Sequence, residues 1–325
     1  PDHPDTLASQ GNLAAAYQAA SRLDQAVPLF EQNLVDCERV LGPDHPDTLA
    51  SQGNLAAAYQ DAGRPKQAID LLEQNLADYE CVLGPDHPHT LTSRNNLASA
   101  YWSADRLSEA VPLFKRTLTD RERVLGSDHP DTLISRGNLA AAYQDAGRLS
   151  EAVSLFGRTL GDCERVLGPD HPDTLSSRGG LAGAYQAAGR PDQAIPLFER
   201  TLADYGRVLG PDHPHTLASQ GNLADAYWST GRLSKAIDLF ERNLADYERV
   251  LGPDHPHTLA SQGNLAYAYQ AAGRPDQAVP LFEQALADRE RLRGPNHPDT
   301  RLFRKKLADA YRAVGRDEDA EALLD

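Results

Sequence analysis

Apolar residues return along this chain in two alternating rhythms. In residues 67–83, Ile69, Leu72, Leu76 and Tyr79 recur every three or four positions, the spacing of one face of an α-helix. Residues 48–60, TLASQGNLAAAYQ, are richer in alanine and leucine and predict a second kind of helix. Helix breakers separate the two. Pro46 suits a first helical position, where a missing N–H costs no hydrogen bond, and Asp47 in the first turn favours the helix dipole. Gly63 and Arg64 mark the end of that helix, and Gly84 followed by Pro85 closes the next. No apolar run is long enough to predict a transmembrane helix.

The helix pair repeats. His-Pro dipeptides stand at His3, His45, His87, His129, His171, His213, His255 and His297, always 42 residues apart. The other three histidines, His89, His215 and His257, each follow one of these by two residues. Residues 1–42 and 43–84 are identical at 32 of 42 positions. Seven full periods end at Gly294 and a partial eighth follows. A length of 325 residues would ordinarily suggest about two domains, but the repeat predicts one all-α array over residues 1–325.

Two recurring residues run against helix propensity. Pro28, Pro112, Pro196 and Pro280 fall early in the second helix and read as a tolerated first-turn position. Gly11, Gly53, Gly137, Gly179, Gly221 and Gly263 fall inside the first helix, where glycine costs about 1 kcal/mol relative to alanine. Close helix–helix approach or room for a ligand backbone would account for them.

Composition narrows the functional classes. The net charge of −15 argues against nucleic acid as a partner. No signal peptide is visible, and three scattered cysteines cannot make a disulfide framework, so a reducing cytoplasmic setting is expected. The absence of methionine, and a start in the middle of a linker, suggest a fragment or processed chain with further sequence before Pro1.

The residues Leu13, Ala14, Tyr17, Ala26 and Phe30 carry a resemblance. Their spacing, L-A-x2-Y…A-x3-F, is similar to the tetratricopeptide pattern W-x2-L-G-x2-Y…A-x3-F, with Gln10 standing where that pattern has tryptophan. The set recurs as Leu139, Ala140, Tyr143, Ala152 and Phe156. The eight residues beyond the ordinary 34 lie between the second helix and the next first helix, and with the linker LGPDHPDT they resemble the 42-residue repeats of kinesin light chains and many bacterial proteins. The resemblance implies a right-handed superhelical solenoid of antiparallel helix pairs, with first helices lining a concave groove. It also implies a divergent C-terminal capping repeat over 295–325, where Arg301, Arg304, Lys305, Lys306, Arg312 and Arg316 cluster.

Catalysis and metal binding find little support. The histidine pairs sit in linkers a whole repeat apart, so they cannot easily share an ion, and helix capping explains them better. Cys37 and Cys163 occupy a position held elsewhere by Tyr79, Tyr205 and Tyr247, and no base stands ready to activate a thiol. No phosphate-binding loop occurs. A non-enzymatic protein with no cofactor is expected.

The groove supplies the functional candidates. Asn12, Asn54, Asn96, Asn138, Asn222 and Asn264 share one position of the first helix, in a stripe with small residues such as Ala8, Ala15 and Ala19. By the resemblance this stripe faces the groove, where an amide can pair with an extended peptide backbone. Locking of neighbouring helices is the other reading. Gly180 interrupts the ladder. Six residues further along, Gln60, Trp102, Gln144 and Trp228 would contact ligand side chains, the tryptophans as anchors. Arg94, Arg136 and Arg178 would favour an acidic ligand residue, unless they lie over inter-repeat surface.

The expected function is therefore a protein–protein interaction module that binds an extended segment of a partner protein, with neither nucleic acid nor membrane as a target. The alternative is a scaffold or sensor segment of a larger multidomain signalling protein, with weak self-association through an uncapped N-terminal end.

Overall fold

A computed structural model describes residues 3–324. Among them it has sixteen α-helices and no strand. They group into two compact units, one up to Val166 and one from Leu167.

The first unit holds α1 (Pro4–Ala19), α2 (Leu23–Leu41), α3 (Pro46–Asp61), α4 (Pro65–Leu83), α5 (Pro88–Ser103), α6 (Leu107–Val124), α7 (Pro130–Asp145) and α8 (Leu149–Val166). The second holds α9 (Pro172–Ala187), α10 (Pro191–Val208), α11 (Pro214–Ser229), α12 (Leu233–Leu251), α13 (Pro256–Ala271), α14 (Pro275–Arg293), α15 (Pro298–Ala313) and α16 (Asp317–Leu324). Within each unit every helix packs against the one before and the one after it, so each is a solenoid segment of stacked helix pairs.

The linkers explain the helix starts. His45 adopts an extended backbone and its Nδ1 accepts the N–H of Asp47 at 3.2 Å, which caps α3 ahead of Pro46. All eight His-Pro histidines do the same for their helices. The Thr48 hydroxyl donates back to the Gly42 carbonyl at 2.8 Å, tying the new helix to the end of the old one. Gly84 closes α4 with φ +85°, a left-handed conformation that glycine adopts without a Cβ penalty. Five linkers are also held from outside. Arg165 reaches back 37 residues to Asp128 at 2.7 Å and Arg249 to Asp212 at 2.6 Å, and Arg123, Arg207 and Arg291 grip Asp86, Asp170 and Asp254 in the same way.

The core of the first unit includes Ala14, Ala26 and Phe30, which carried the tetratricopeptide spacing, together with Val27, Leu55 and Ala58, whereas Leu13 is exposed. The same positions recur in the second unit as Phe198, Phe240, Phe282, Leu223 and Leu265.

Two expectations need correction. Pro28, Pro112, Pro196 and Pro280 are the sixth residues of α2, α6, α10 and α14, one turn deeper than expected, so each removes a ladder hydrogen bond. Close helix approach explains the first-helix glycines only in part. A Cβ at Gly53 or Gly137 would meet nothing within 4 Å, whereas at Gly263 it would lie 2.8 Å from the Phe303 ring.

Candidate interaction groove

The first helices of the first unit present the predicted stripe to a concave pocket of about 320 Å³. Asn12, Ala15 and Gln18 of α1 line it with Asn54 and Ala57 of α3, and Phe30, Asn33 and Cys37 of α2 contribute to its wall. Helical spacing sets this face. Residues three apart on a helix are neighbours, so positions 12, 15 and 18 project together.

The asparagines are available to a ligand. Asn12, Asn54, Asn96, Asn222 and Asn264 are exposed, and none makes a hydrogen bond among the described residues. Asn138 is half-buried and donates Nδ2 to the Asn95 Oδ1 at 3.4 Å. Locking of the stack is instead the work of another set that sequence reasoning passed over. Asn75 on α4 is buried, donates to the Leu49 carbonyl of α3 at 2.8 Å and to Gln52 at 3.0 Å, and accepts the Ser93 hydroxyl of α5 at 2.7 Å. Asn33 and Asn243 make the equivalent bonds to Leu7 and Ser51 and to Leu217 and Ser261. One amide thus joins three helices.

Gln60, Gln144 and Trp102 are half-buried and Trp228 is 40% exposed. The Trp102 indole N–H donates to the Asp145 carboxylate at 2.7 Å, one repeat further on, and its ring meets Phe114 edge-on at 6.2 Å. Gln18 makes the same cross-repeat bond to Asp61 at 2.6 Å. For Trp228 the residue equivalent to Asp61 and Asp145 is Ala271.

The arginines do not belong to the groove. Arg94, Arg136 and Arg178 are 0% exposed. Arg94 bridges Asp120 at 2.7 Å and Glu80 at 2.9 Å, and Arg136 bridges Asp162 at 2.6 Å and Glu122 at 3.0 Å. Arg178 holds Asp204 at 2.6 Å. Burial would raise the Asp162 carboxyl, but hydrogen bonds from Arg165 and Arg136 outweigh it and hold it below its ordinary value. These arginines occupy the tryptophan position of the tetratricopeptide pattern, a core position, and that register was the signal that placed them inside.

The buried position obeys a pairing rule. Where it holds glutamine, at Gln10, Gln52 and Gln220, the facing residue of the second helix is Asn33, Asn75 or Asn243. Where it holds Arg94, Arg136 or Arg178, that residue is Thr117, Thr159 or Thr201. The larger guanidinium takes the space of the amide. In the seventh repeat Gln262 faces Ala285, and Arg289 fills the gap instead, its guanidinium 3.5 Å from the Phe303 ring centroid.

Among the described residues no three histidine, cysteine, aspartate or glutamate side chains are grouped to hold a metal ion. The paired histidines stack on a neighbouring tyrosine, as His215 does on Tyr205 at 5.5 Å. Cys37 and Cys163 are buried and Cys81 is exposed, and burial pushes the Cys37 thiol up, away from reactivity. Among the described residues no helix is long and apolar enough to cross a membrane.

Comparison with known proteins follows this geometry. The sequence pattern of the tetratricopeptide repeat matches residues 5–80, 54–122, 106–164, 137–205, 179–245, 230–291 and 264–325. A Podosopora anserina protein described as a kinesin light chain with nearly identical TPR-like repeats is 38% identical, with a TM-score of 0.54 over 63% of this chain and 97% of that one. A signal transduction ATPase with numerous domains and a tetratricopeptide repeat sensor, from Pyrococcus horikoshii, is similar in fold, with a TM-score of 0.64 at 15% identity over 91% of this chain and 42% of that one. A Rap protein complexed with competence and sporulation factor also shares the fold, with a TM-score of 0.53 at 11% identity over 98% of this chain and all of that one. No curated protein matches the chain in sequence.

Proposed function

Since the chain belongs to the tetratricopeptide repeat family, whose members generally mediate protein–protein interaction, we propose that it holds an extended segment of a partner protein against its first helices. The observation that carries this reading is the pocket lined by Asn12, Ala15, Gln18, Asn54 and Ala57. Small residues at 15 and 57 leave room for a peptide backbone. The asparagine amides beside them keep both donors and the acceptor uncommitted, so they can pair with backbone N–H and C=O groups whatever the peptide's sequence. Backbone pairing would supply affinity, and the residues at 18, 60, 102, 144 and 228 would supply preference among side chains. Neither a catalytic step nor a cofactor enters this reading.

The test is a double substitution, Asn96→Ala with Asn138→Ala, assayed for partner capture and by circular dichroism. Binding should be lost with helicity unchanged. Retained affinity would remove the asparagines from the binding surface.

A further inference from the structure

The groove face is not the same in every repeat. In the first unit, positions 12, 15 and 18 carry Asn12, Ala15 and Gln18, and all three line the pocket. At the same positions α11 carries Asn222, Asp225 and Trp228. The middle residue is small in the first five repeats, as in Ala57, Ser99 and Ala141, so the repeat fold has no need of a carboxylate there, and Asp309 at this register of α15 is paired with Arg312.

Two features single out this turn of α11. Asp225 is partly buried yet makes no hydrogen bond or ion pair among the described residues. The other carboxylates at this edge, Asp61 and Asp145, are engaged by Gln18 and Trp102. With no offsetting partner, burial pushes the Asp225 carboxyl up to about 6. Its neighbour one turn on, Trp228, is 40% exposed, and the residue equivalent to the carboxylate that Trp102 finds is Ala271. A carboxylate and an open indole face three residues apart on one helix are adjacent. Together they offer a negative charge and a negative π face, the two groups that attract a guanidinium or ammonium.

We propose that Asp225 and Trp228 form the receptor for a basic side chain, arginine or lysine, of the segment bound in the groove of the second unit. This deepens the reading of the groove as a peptide site and rests on it. The next repeat brings an ammonium group to the same register. Tyr267 stands at the position of Asp225, and the Nζ of Lys306, on α15, lies 5.8 Å from its ring centroid. At this register of α13 an ammonium group therefore lies over an aromatic ring. The overall charge of −15 favours the approach of a basic segment.

The experiment selects a pool of random dodecapeptides on the full chain and, in parallel, on Asp225→Asn and on Asn222→Ala with Asn264→Ala. The wild-type pool should be enriched in peptides with arginine or lysine at one fixed position. A selected peptide should bind Asp225→Asn about tenfold more weakly. Replacing its basic residue by citrulline or norleucine should cost a similar factor, and the two losses should not add. Trp228→Phe, which keeps a π face, should retain more affinity than Trp228→Ala. Recovered peptides without a basic position, or with equal affinity for Asp225→Asn, would overturn the receptor while leaving the groove in place if the double asparagine variant loses them. A pool from which no peptide is recovered would overturn both. Circular dichroism of each variant confirms that the helices are kept.

Discussion

Arg136 on α7, wholly buried, donates to the Asp162 carboxylate of α8 at 2.6 Å. A guanidinium in the interior must keep such partners, because an uncompensated charge there costs more than the pair contributes. Arg136→Gln should therefore destabilise the first unit by about 2 kcal/mol. That is less than the roughly 3–5 kcal/mol of a fully buried pair, since Asp162 keeps Arg165 as a partner. The pairing of glutamine with asparagine in other repeats gives the rescue. Arg136→Gln with Thr159→Asn should recover about half of the loss, as read by urea unfolding. Additive losses would show that the pairing rule has no energetic basis.

Two asparagines separate stacking from binding. Asn75→Ala strands the Leu49 carbonyl and the Ser93 hydroxyl in the interior and should cost about 1–3 kcal/mol. Asn54→Ala, on the exposed stripe, should change stability by no more than about 0.5 kcal/mol. Equal losses in denaturant titrations would mean that the groove asparagines also hold the repeats together.

Leu139, 3% exposed, tests the solenoid itself. Leu139→Ala should cost about 2–5 kcal/mol. Because stability in an array sums over repeats and their interfaces, the loss should also broaden the unfolding transition. A single sharp transition at the wild-type midpoint would contradict a stacked-repeat energetics.

The linker that carries His255 is acid-sensitive. His255 accepts the His257 N–H at Nδ1, and the two rings lie 5.3 Å apart. Burial, and then the neighbouring His257, hold the His255 pKa below 6.5. The folded chain therefore takes up this proton less readily than the unfolded chain. The stability it contributes is complete above the unfolded value of about 6.5 and is lost as the pH falls below it. His129 has Asp131 in place of the second histidine. His257→Asp should flatten the fall in Tm between about pH 7 and pH 5. An unchanged acid slope would absolve the pair.

Asp225 titrates with the opposite sign. Its folded pKa of about 6 lies above the ordinary value of 3.8, so its contribution is full in acid and is lost as the pH rises through about 6. Asp225→Asn should raise the Tm at neutral pH, and the gain should vanish in acid. A variant that is more stable and binds less tightly is the pattern of a residue kept for recognition at the expense of stability.

The architecture was legible because each repeat restates it. Pro46 and Gly84 gave the helix bounds, and the L-A-x2-Y…A-x3-F spacing gave the core. Asn12 and Asn54 line one pocket. What failed was the reading of charge. Arg94, Arg136 and Arg178 looked like a basic stripe because the sequence does not display Asp120, Asp162 and Asp204, 26 residues away, folded against them. Asn75 was missed for a related reason. A polar residue within an amphipathic helix reads as solvated until the carbonyl it satisfies is known.

The outer grip of Arg165 on Asp128 begins and ends inside one 42-residue repeat, as does that of Arg249 on Asp212. The third to seventh repeats thus each carry their own clasp, whereas the second has Cys81 where the arginine would stand. Gain or loss of a whole unit breaks none of these clasps, so unequal recombination between copies yields an array with these repeats still fastened. Stretches as alike as residues 1–42 and 43–84 are the mark of that copying. The span of the array is heritable in steps of one repeat, and the specialised turn at Asp225 can be moved or duplicated with its repeat.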